Sequence, residues 1–345
     1  MNGTKCRADW MSGAHGMMVH YLPPMLYAKD GRVVEPLRMA DEFDIEVFMD
    51  AFLSTGSQWL IFTAGQNSGL YNSPNSAIEK YAGPGHCPGR DLLLELATAV
   101  KAVGRRFIVY LPCEIRGNTT LQEGFGWTYG ADPAENVFQT RWLEVISCWA
   151  KRLGPLLDGW WFDGAYEDNT PDLPASTLRL DEWYAAARSG NPDAAVAFND
   201  GCYCGGKSEP HLPGMDYYAG EAEALHEGAV RYSRNWKFPV WYPHGKFCAD
   251  GTTLRHVLLP VDAFWWHATE ANSEFAGSPY HKRDEVKKEV MESPLYEAAY
   301  LREFRDSWCG LGAAVTFNAG IYMDGSLGDE TLKLFAAMSK CHGCH

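Results

Sequence analysis

The feature that most constrains this chain is an alternation. Short apolar runs, each long enough for one buried strand, are separated by longer segments whose apolar residues recur at helical spacing. The strand-like runs are 16–21 (GMMVHY), 59–65 (WLIFTAG), 105–112 (RRFIVYLP), 157–164 (LDGWWFDG), 194–200 (AAVAFND), 214–221 (GMDYYAGE), 239–244 (PVWYPH) and 313–318 (AAVTFN). Brief apolar runs bounded by turn residues read as strands buried on both faces. Helical patterns cover 40–56, 89–104, 140–154, 177–190, 294–310 and 329–340. In the first, Asp44 or Asp41 is placed to cap the start and Gly56 to end it. Repeated strand–helix units demand a parallel sheet with crossover helices. An open doubly wound sheet is one solution. Eight strand-like runs favour the other, an α/β chain closed into a single (β/α)8 TIM-like barrel, and 345 residues suit one such barrel. No linker or low-complexity segment interrupts the pattern, so one domain over 1–345 is expected.

Charge narrows the partners. The formal net charge of −14, with no basic stripe, excludes nucleic acid and disfavours an anionic membrane surface. No run of 18 apolar residues is present, so no membrane span is expected. The N-terminal MNGTKCRADWMSG has no apolar signal core, and several of the ten cysteines, such as Cys113 and Cys148, sit in apolar runs as small hydrophobes. A reducing, cytoplasmic location follows as the expectation. The terminal CHGCH, 341–345, has the spacing of a c-type haem attachment site, but no haem domain surrounds it. It reads as adventitious, and neither cofactor nor metal is expected. The sequence is compatible with a homo-oligomer and does not specify one.

In a parallel barrel, chemistry collects where the strands end. Those ends supply His20, Gln66, Asn67, Tyr110, Glu114, Asp163, Asn199, Asp200, Asp216, Glu221, His244 and Asn318. Asp163 closes an aromatic strand and precedes Gly164, which suits a nucleophile or base; Asp-Gly is equally ordinary turn chemistry. Asp163 and Glu221 come from different strands and can face one cavity. Glycoside hydrolysis needs such a pair, one carboxylate attacking or directing water and the other protonating the departing oxygen. The aromatic excess suits a sugar's apolar face, which makes Trp59, Tyr71, Tyr110, Trp161, Trp241 and Trp266 candidates for the pocket wall, each with core packing as its alternative. Glu114 and Glu270 are fallback acids, and Asp200 and Asp216 read as structural.

Taken together these segments resemble the family 29 α-L-fucosidases over nearly the whole chain. GMMVHY is similar to the family's first strand, which ends in a His beside an aromatic. FDIEVFMDAFLSTGSQWLIFTAG and GRDLLLELATAVKAVGRRFIVYLP are similar to its second and third units. WWFDG resembles the nucleophile motif, which implies Asp163 as nucleophile. AFND followed by MDYYAGE resembles the acid/base segment, which implies Glu221 in that role. AAVTFNAGIYMDGSLGDETLKLF resembles the last strand, its turn and the closing helix. The resemblance also implies His20 as a ligand of sugar hydroxyls.

Three departures accompany it. Gln66 and Asn67 stand where the family usually has a His pair. Gly201 stands where Asn-Asp is often followed by Arg, and the resemblance does not extend to the family's C-terminal β-sandwich. Amides still bond hydroxyls but carry no charge. The resemblance therefore implies a retaining, exo-acting α-glycosidase with a carbohydrate substrate, and a sugar other than fucose is an alternative. A non-catalytic sugar-binding protein on a hydrolase barrel, and a redox or metal protein using the Cys/His tail, are the competing expectations.

Overall fold

The computed structural model describes residues 6–339 except 31, 33, 67, 116–117, 128–136, 167–174, 202–208, 223–243, 263–264, 266–290 and 292. Its centre is a parallel sheet of seven strands: β1 His15–Val19, β2 Trp59–Thr63, β3 Arg106–Pro112, β4 Gly159–Asp163, β5 Ala195–Phe198, β6 His256–Pro260 and β7 Ala314–Ala319. They lie in the order β5-β4-β3-β2-β1-β7-β6. Around them run α1 Met39–Glu42, α2 Ile45–Ser54, α3 Ser76–Ala82, α4 Leu92–Ala102, α5 Thr119–Phe125, α6 Val137–Leu153, α7 Leu180–Ala187, α8 Ala298–Cys309 and α9 Asp329–Ser339. Among the described residues no helix is long and apolar enough to cross a membrane.

Local chemistry explains the helix boundaries. Asp44 accepts from the backbone N–H groups of Glu46 and Val47 and so caps α2. Asp91 caps α4 through Leu94 N–H. α3 and α5 were not legible as helices in the sequence. Each is a short turn capped by an asparagine, Asn75 and Asn118, inside stretches rich in turn residues.

The strands are buried on both faces, and alternate residues divide the work. One set packs outward against helices: Phe62 on Phe48, Phe162 on Trp183, and Phe317 on Phe335. The other set faces the enclosed side of the sheet. Trp59 Nε1 donates to Thr316 Oγ1 at 2.8 Å, and Trp161 stacks on Tyr110 with centroids 5.2 Å apart. Gly16 is required here. A Cβ at that position would sit 2.1 Å from the Trp59 indole nitrogen.

The expectation of eight regular strands is corrected in two places. The run at 214–221 is not a ladder strand. Its residues 216–222 lie between the sheet's two edge strands, with isolated parallel bridges Tyr217–Leu254 and Glu221–Leu258 and an Asp216 N–H bond to Val196 O of β5. Gly220, at φ +69°, breaks the extended geometry, which is why no continuous ladder forms. The run at 239–244 falls outside the described residues except for His244, and the sixth ladder strand is instead β6, a segment not singled out in the sequence. Arg255, His256 and Pro260 masked its apolar core of Val257, Leu258 and Leu259. The sheet is thus a curled seven-stranded one rather than a closed eight-stranded ladder.

Acidic clips fasten its N-terminal end. Asp158 pairs with Lys101 and Arg106 and accepts Phe107 N–H, while Asp216 pairs with Arg188 and accepts Val196 N–H. Asp216 is therefore placed as the structural residue it was expected to be.

Gly16→Ala should destabilise the protein by about 1–3 kcal/mol, because Trp59 cannot retreat without breaking its bond to Thr316. Urea unfolding reads this as a lower midpoint at unchanged slope. An unaltered midpoint would place the indole elsewhere.

Candidate active site

The C-terminal ends of β1, β3, β4, β5 and β7 converge on Asp163, the last residue of β4. Its Oδ1 accepts from Gly164 N–H at 2.9 Å, Tyr166 Oη at 3.0 Å and Asn199 Nδ2 at 2.8 Å. Its Oδ2 accepts from Tyr110 Oη at 2.5 Å. All four donors are neutral, and among the described residues no cation pairs with Asp163. The donors pay for that contact in their own acidity. Burial, with Asp163 next to them, pushes the Tyr110 and Tyr166 phenols well above their ordinary value, so both stay protonated and keep donating.

Asn199 joins this carboxylate to a second one. Its Nδ2 also donates to Glu221 Oε2, and its Oδ1 accepts Gly201 N–H at 3.1 Å, which fixes the amide with its NH2 toward the acids. Two oxygens served by one nitrogen are separated by no more than two hydrogen-bond lengths, about 6 Å. Asp163 and Glu221 therefore meet across a gap of that order, although they come from separate segments of the barrel wall. Both are half-buried.

A third group completes the rim. His20 follows β1 and is buried, its ring edge-on to Tyr110 at 5.3 Å and tilted against Trp265 at 5.5 Å. Its Nδ1 lies 2.8 Å from Asn318 Oδ1, and Asn318 Nδ2 donates to Trp265 O. That second bond turns the amide oxygen toward His20, so Nδ1 carries the proton and Nε2 is left as an acceptor. Burial pushes the imidazole down to about 4, opposed by the Asn318 bond and by Asp163. Gln66 Nε2 donates to Tyr110 Oη at 2.7 Å, so the amide at the family's His position supports the tyrosine that in turn holds Asp163.

Of the residues expected here, Asp163, Glu221, His20, Gln66, Tyr110, Trp161 and Asn199 are brought together. Trp161 lies under Asp163 on the same face of β4, its Nε1 donating to Ala219 O. Trp59 is not with them. It opens β2, at the far end of the strand from Thr63, and fills the interior beside Thr316. Tyr71 is not with them either, because it packs outward on Trp142 and Trp149 of α6. His244 is exposed. Asn67, Trp241, Trp266, Glu270 and the 341–345 tail lie outside the described residues. Glu114 is buried, with its Cγ 3.0 Å from where a Cβ on Gly164 would stand. Asp200 accepts from Tyr218 Oη, a structural contact.

Sequence reading assigned nothing to Tyr166; Trp265 lies in the aromatic run 262–270, which reads as a loop or short helix lining the site. The signal for Tyr166 was its place three residues after Asp163. Gly164 at φ +77° turns the chain back, and only then does the phenol reach the carboxylate it follows. Gly201 has to be small for the same reason, since a Cβ there would lie 2.9 Å from the Tyr166 ring.

Comparison with known proteins adds a lineage to this geometry. A family model described as alpha-L-fucosidase matches residues 7–237. No curated protein matches the chain. Among solved structures, an endo-fucoidan hydrolase of glycoside hydrolase family 107 aligns at TM-score 0.63 and 16% identity, over 98% of this chain and 93% of its own. Another of that family aligns at TM-score 0.65 and 17% identity over 96% of this chain, which spans only 53% of it. Alpha-L-fucosidase isoenzyme 1 from Paenibacillus thiaminolyticus aligns at TM-score 0.60 and 16% identity, over 96% of this chain and 74% of that one. At these identities the structural likeness speaks for the fold.

His20 is held below the value of about 6.5 that it takes in an unfolded chain. The unfolded state then binds the extra proton, so the stability tied to the neutral ring is complete above pH 6.5 and is lost as pH falls toward 4. Thermal midpoints measured across that window should fall less steeply for His20→Gln than for the parent. Equal slopes would show that the ring is not held neutral by burial.

Proposed function

Because the chain belongs to the α-L-fucosidase family of glycoside hydrolases, we propose that it is a retaining, exo-acting α-glycosidase for L-fucose or a sugar of related hydroxyl geometry. Asp163 is the nucleophile and Glu221 the acid/base. The whole chain serves as one catalytic domain, a TIM-like barrel whose 216–222 segment stands in for the missing ladder strand.

The observation that carries this reading is the single Asn199 nitrogen donating to both carboxylates. It keeps Asp163 Oδ1 and Glu221 Oε2 within about 6 Å of each other, which supports the close pair of a retaining enzyme, about 5–5.5 Å apart, over the roughly 6.5–9.5 Å of an inverting one. An inverting pair is wider because a water sits between the base and the anomeric carbon.

In the first step an Asp163 oxygen attacks the anomeric carbon. The bond from that carbon to the aglycone oxygen breaks, and Glu221 gives its proton to the departing oxygen. In the second step Glu221 takes a proton from water, the water oxygen attacks the same carbon, and the bond to Asp163 breaks. Two inversions give net retention. Oδ1 is held by three donors and Oδ2 by one, so Oδ2 has the lone-pair capacity to attack while Oδ1 stays anchored. His20 Nε2 accepts from a sugar hydroxyl. Trp161 and Tyr110, stacked on one another, floor the pocket under the ring.

Asp163→Asn should reduce turnover of an aryl α-L-fucoside to background, and Glu221→Gln should lower kcat by about 10²–10⁴ for a poor leaving group. NMR of the first-formed product should show the α-anomer. A first-formed β-anomer, or full turnover by Asp163→Asn, would overturn the assignment, and saturable sugar binding without hydrolysis of any aryl glycoside would favour a binding protein.

A further inference from the structure

Glu221 is delivered by the least regular part of the barrel wall. Residues 216–222 touch β6 through isolated bridges, and Gly220 lies at φ +69° with so little room that a Cβ would stand 2.2 Å from His256 O. Something other than a ladder has to define where this backbone turns. The side chain of His256 is placed to do so. It lies on the enclosed face of β6, fully buried, with Nδ1 at 2.9 Å from Tyr218 O and 3.1 Å from Ala219 O. Its Nε2 is 2.8 Å from Thr316 Oγ1, and Trp59 Nε1 is 2.8 Å from that same oxygen.

The direction of every bond in this chain is forced. Carbonyls only accept, so Nδ1 carries the proton. Burial keeps the ring neutral, pushing it down to about 4, so Nε2 can only accept. The Thr316 hydroxyl must then donate to Nε2, and the indole N–H of Trp59 fills the hydroxyl's acceptor side. Trp161, under Asp163, donates to Ala219 O as well. A run of neutral groups thus connects the bottom of the barrel to the two carbonyls that precede Gly220 and Glu221.

We propose that His256 is a positioning residue for Glu221: by holding the Tyr218 and Ala219 carbonyls, it fixes the turn that aims the Glu221 carboxyl at Asn199 and Asp163. This rests on the reading of Glu221 as acid/base. A buried histidine that only filled space would affect folding and nothing else. One that places the proton donor must affect most those substrates that need the proton.

The test is kcat/KM for aryl α-L-fucosides whose phenols span a wide range of acidity. His256→Leu should lose about 10²-fold on the least acidic phenols, the size of effect expected when a catalytic group moves by about 1 Å. It should lose only a few-fold on dinitrophenol, which departs without a proton, and KM should change little. His256→Asn, whose amide nitrogen can take the place of Nδ1, should recover most of the loss. His256→Gln, whose nitrogen falls on the Nε2 side, should not. If His256→Leu does not fold, the Asn and Gln variants decide the matter between them. A loss equal for all phenols, or equal behaviour of Asn and Gln, would overturn the proposal. Glu221→Gln on the same panel separates the two ideas: if it too shows no dependence on the phenol, the acid/base assignment is what fails.

Discussion

One side-chain amide between two acids is the constraint on which the rest of this structure depends. Asn199 can donate to Asp163 and Glu221 together only if β4, the end of β5 and the 216–222 segment curve round a common axis. A flat parallel sheet would spread those positions about 4.8 Å per strand and point them all one way. Curling turns them to face each other. The amide then holds the two carboxyl groups close together, with its own oxygen tied to Gly201 so that it cannot flip and present a lone pair to either acid.

The interior is built in two polar layers, and in both the hydrogen-bond donors are neutral. The upper layer joins Gln66, Tyr110, Asp163, Asn199 and Glu221, with His20 and Asn318 alongside. The lower joins Trp59, Thr316 and His256. Ion pairs are placed elsewhere, at the N-terminal end of the sheet, where Asp158 and Asp216 meet cations that reach partly into solvent. This division is physically sensible. A buried cation beside Asp163 would have to be desolvated, whereas phenols and amides carry no net charge to strip of water.

The proposed site keeps the two acids of the resembling motifs and supports them differently. The His pair and the Arg that usually accompany the resembling motifs are replaced by Gln66 with Asn67 and by Gly201. The space beside Gly201 is taken by Tyr166, and Gln66 works through Tyr110. The site has thus exchanged charged support for neutral hydrogen bonds around an unchanged acid pair.

The sequence by itself determined the parallel α/β architecture and the strands at whose ends His20, Gln66, Tyr110, Asp163 and Asn199 stand. Those readings follow from period and position, which are local properties. Tertiary structure alone decided the others. Trp59 and Tyr71 have the same residue types as Trp161 and Tyr110, yet one fills the barrel bottom and the other an outer layer, because height along a strand and side of the sheet are not written in composition. β6 was obscured by Pro260 and by Arg255 and His256, whose polarity is absorbed by Glu209, Tyr218 and Thr316. Tyr166 reaches Asp163 only through a glycine turn, and Glu221 reaches Asn199 only because two edges of a curled sheet come round to meet. Each of those contacts joins segments that share no local pattern, so each exists only once the sheet has curled.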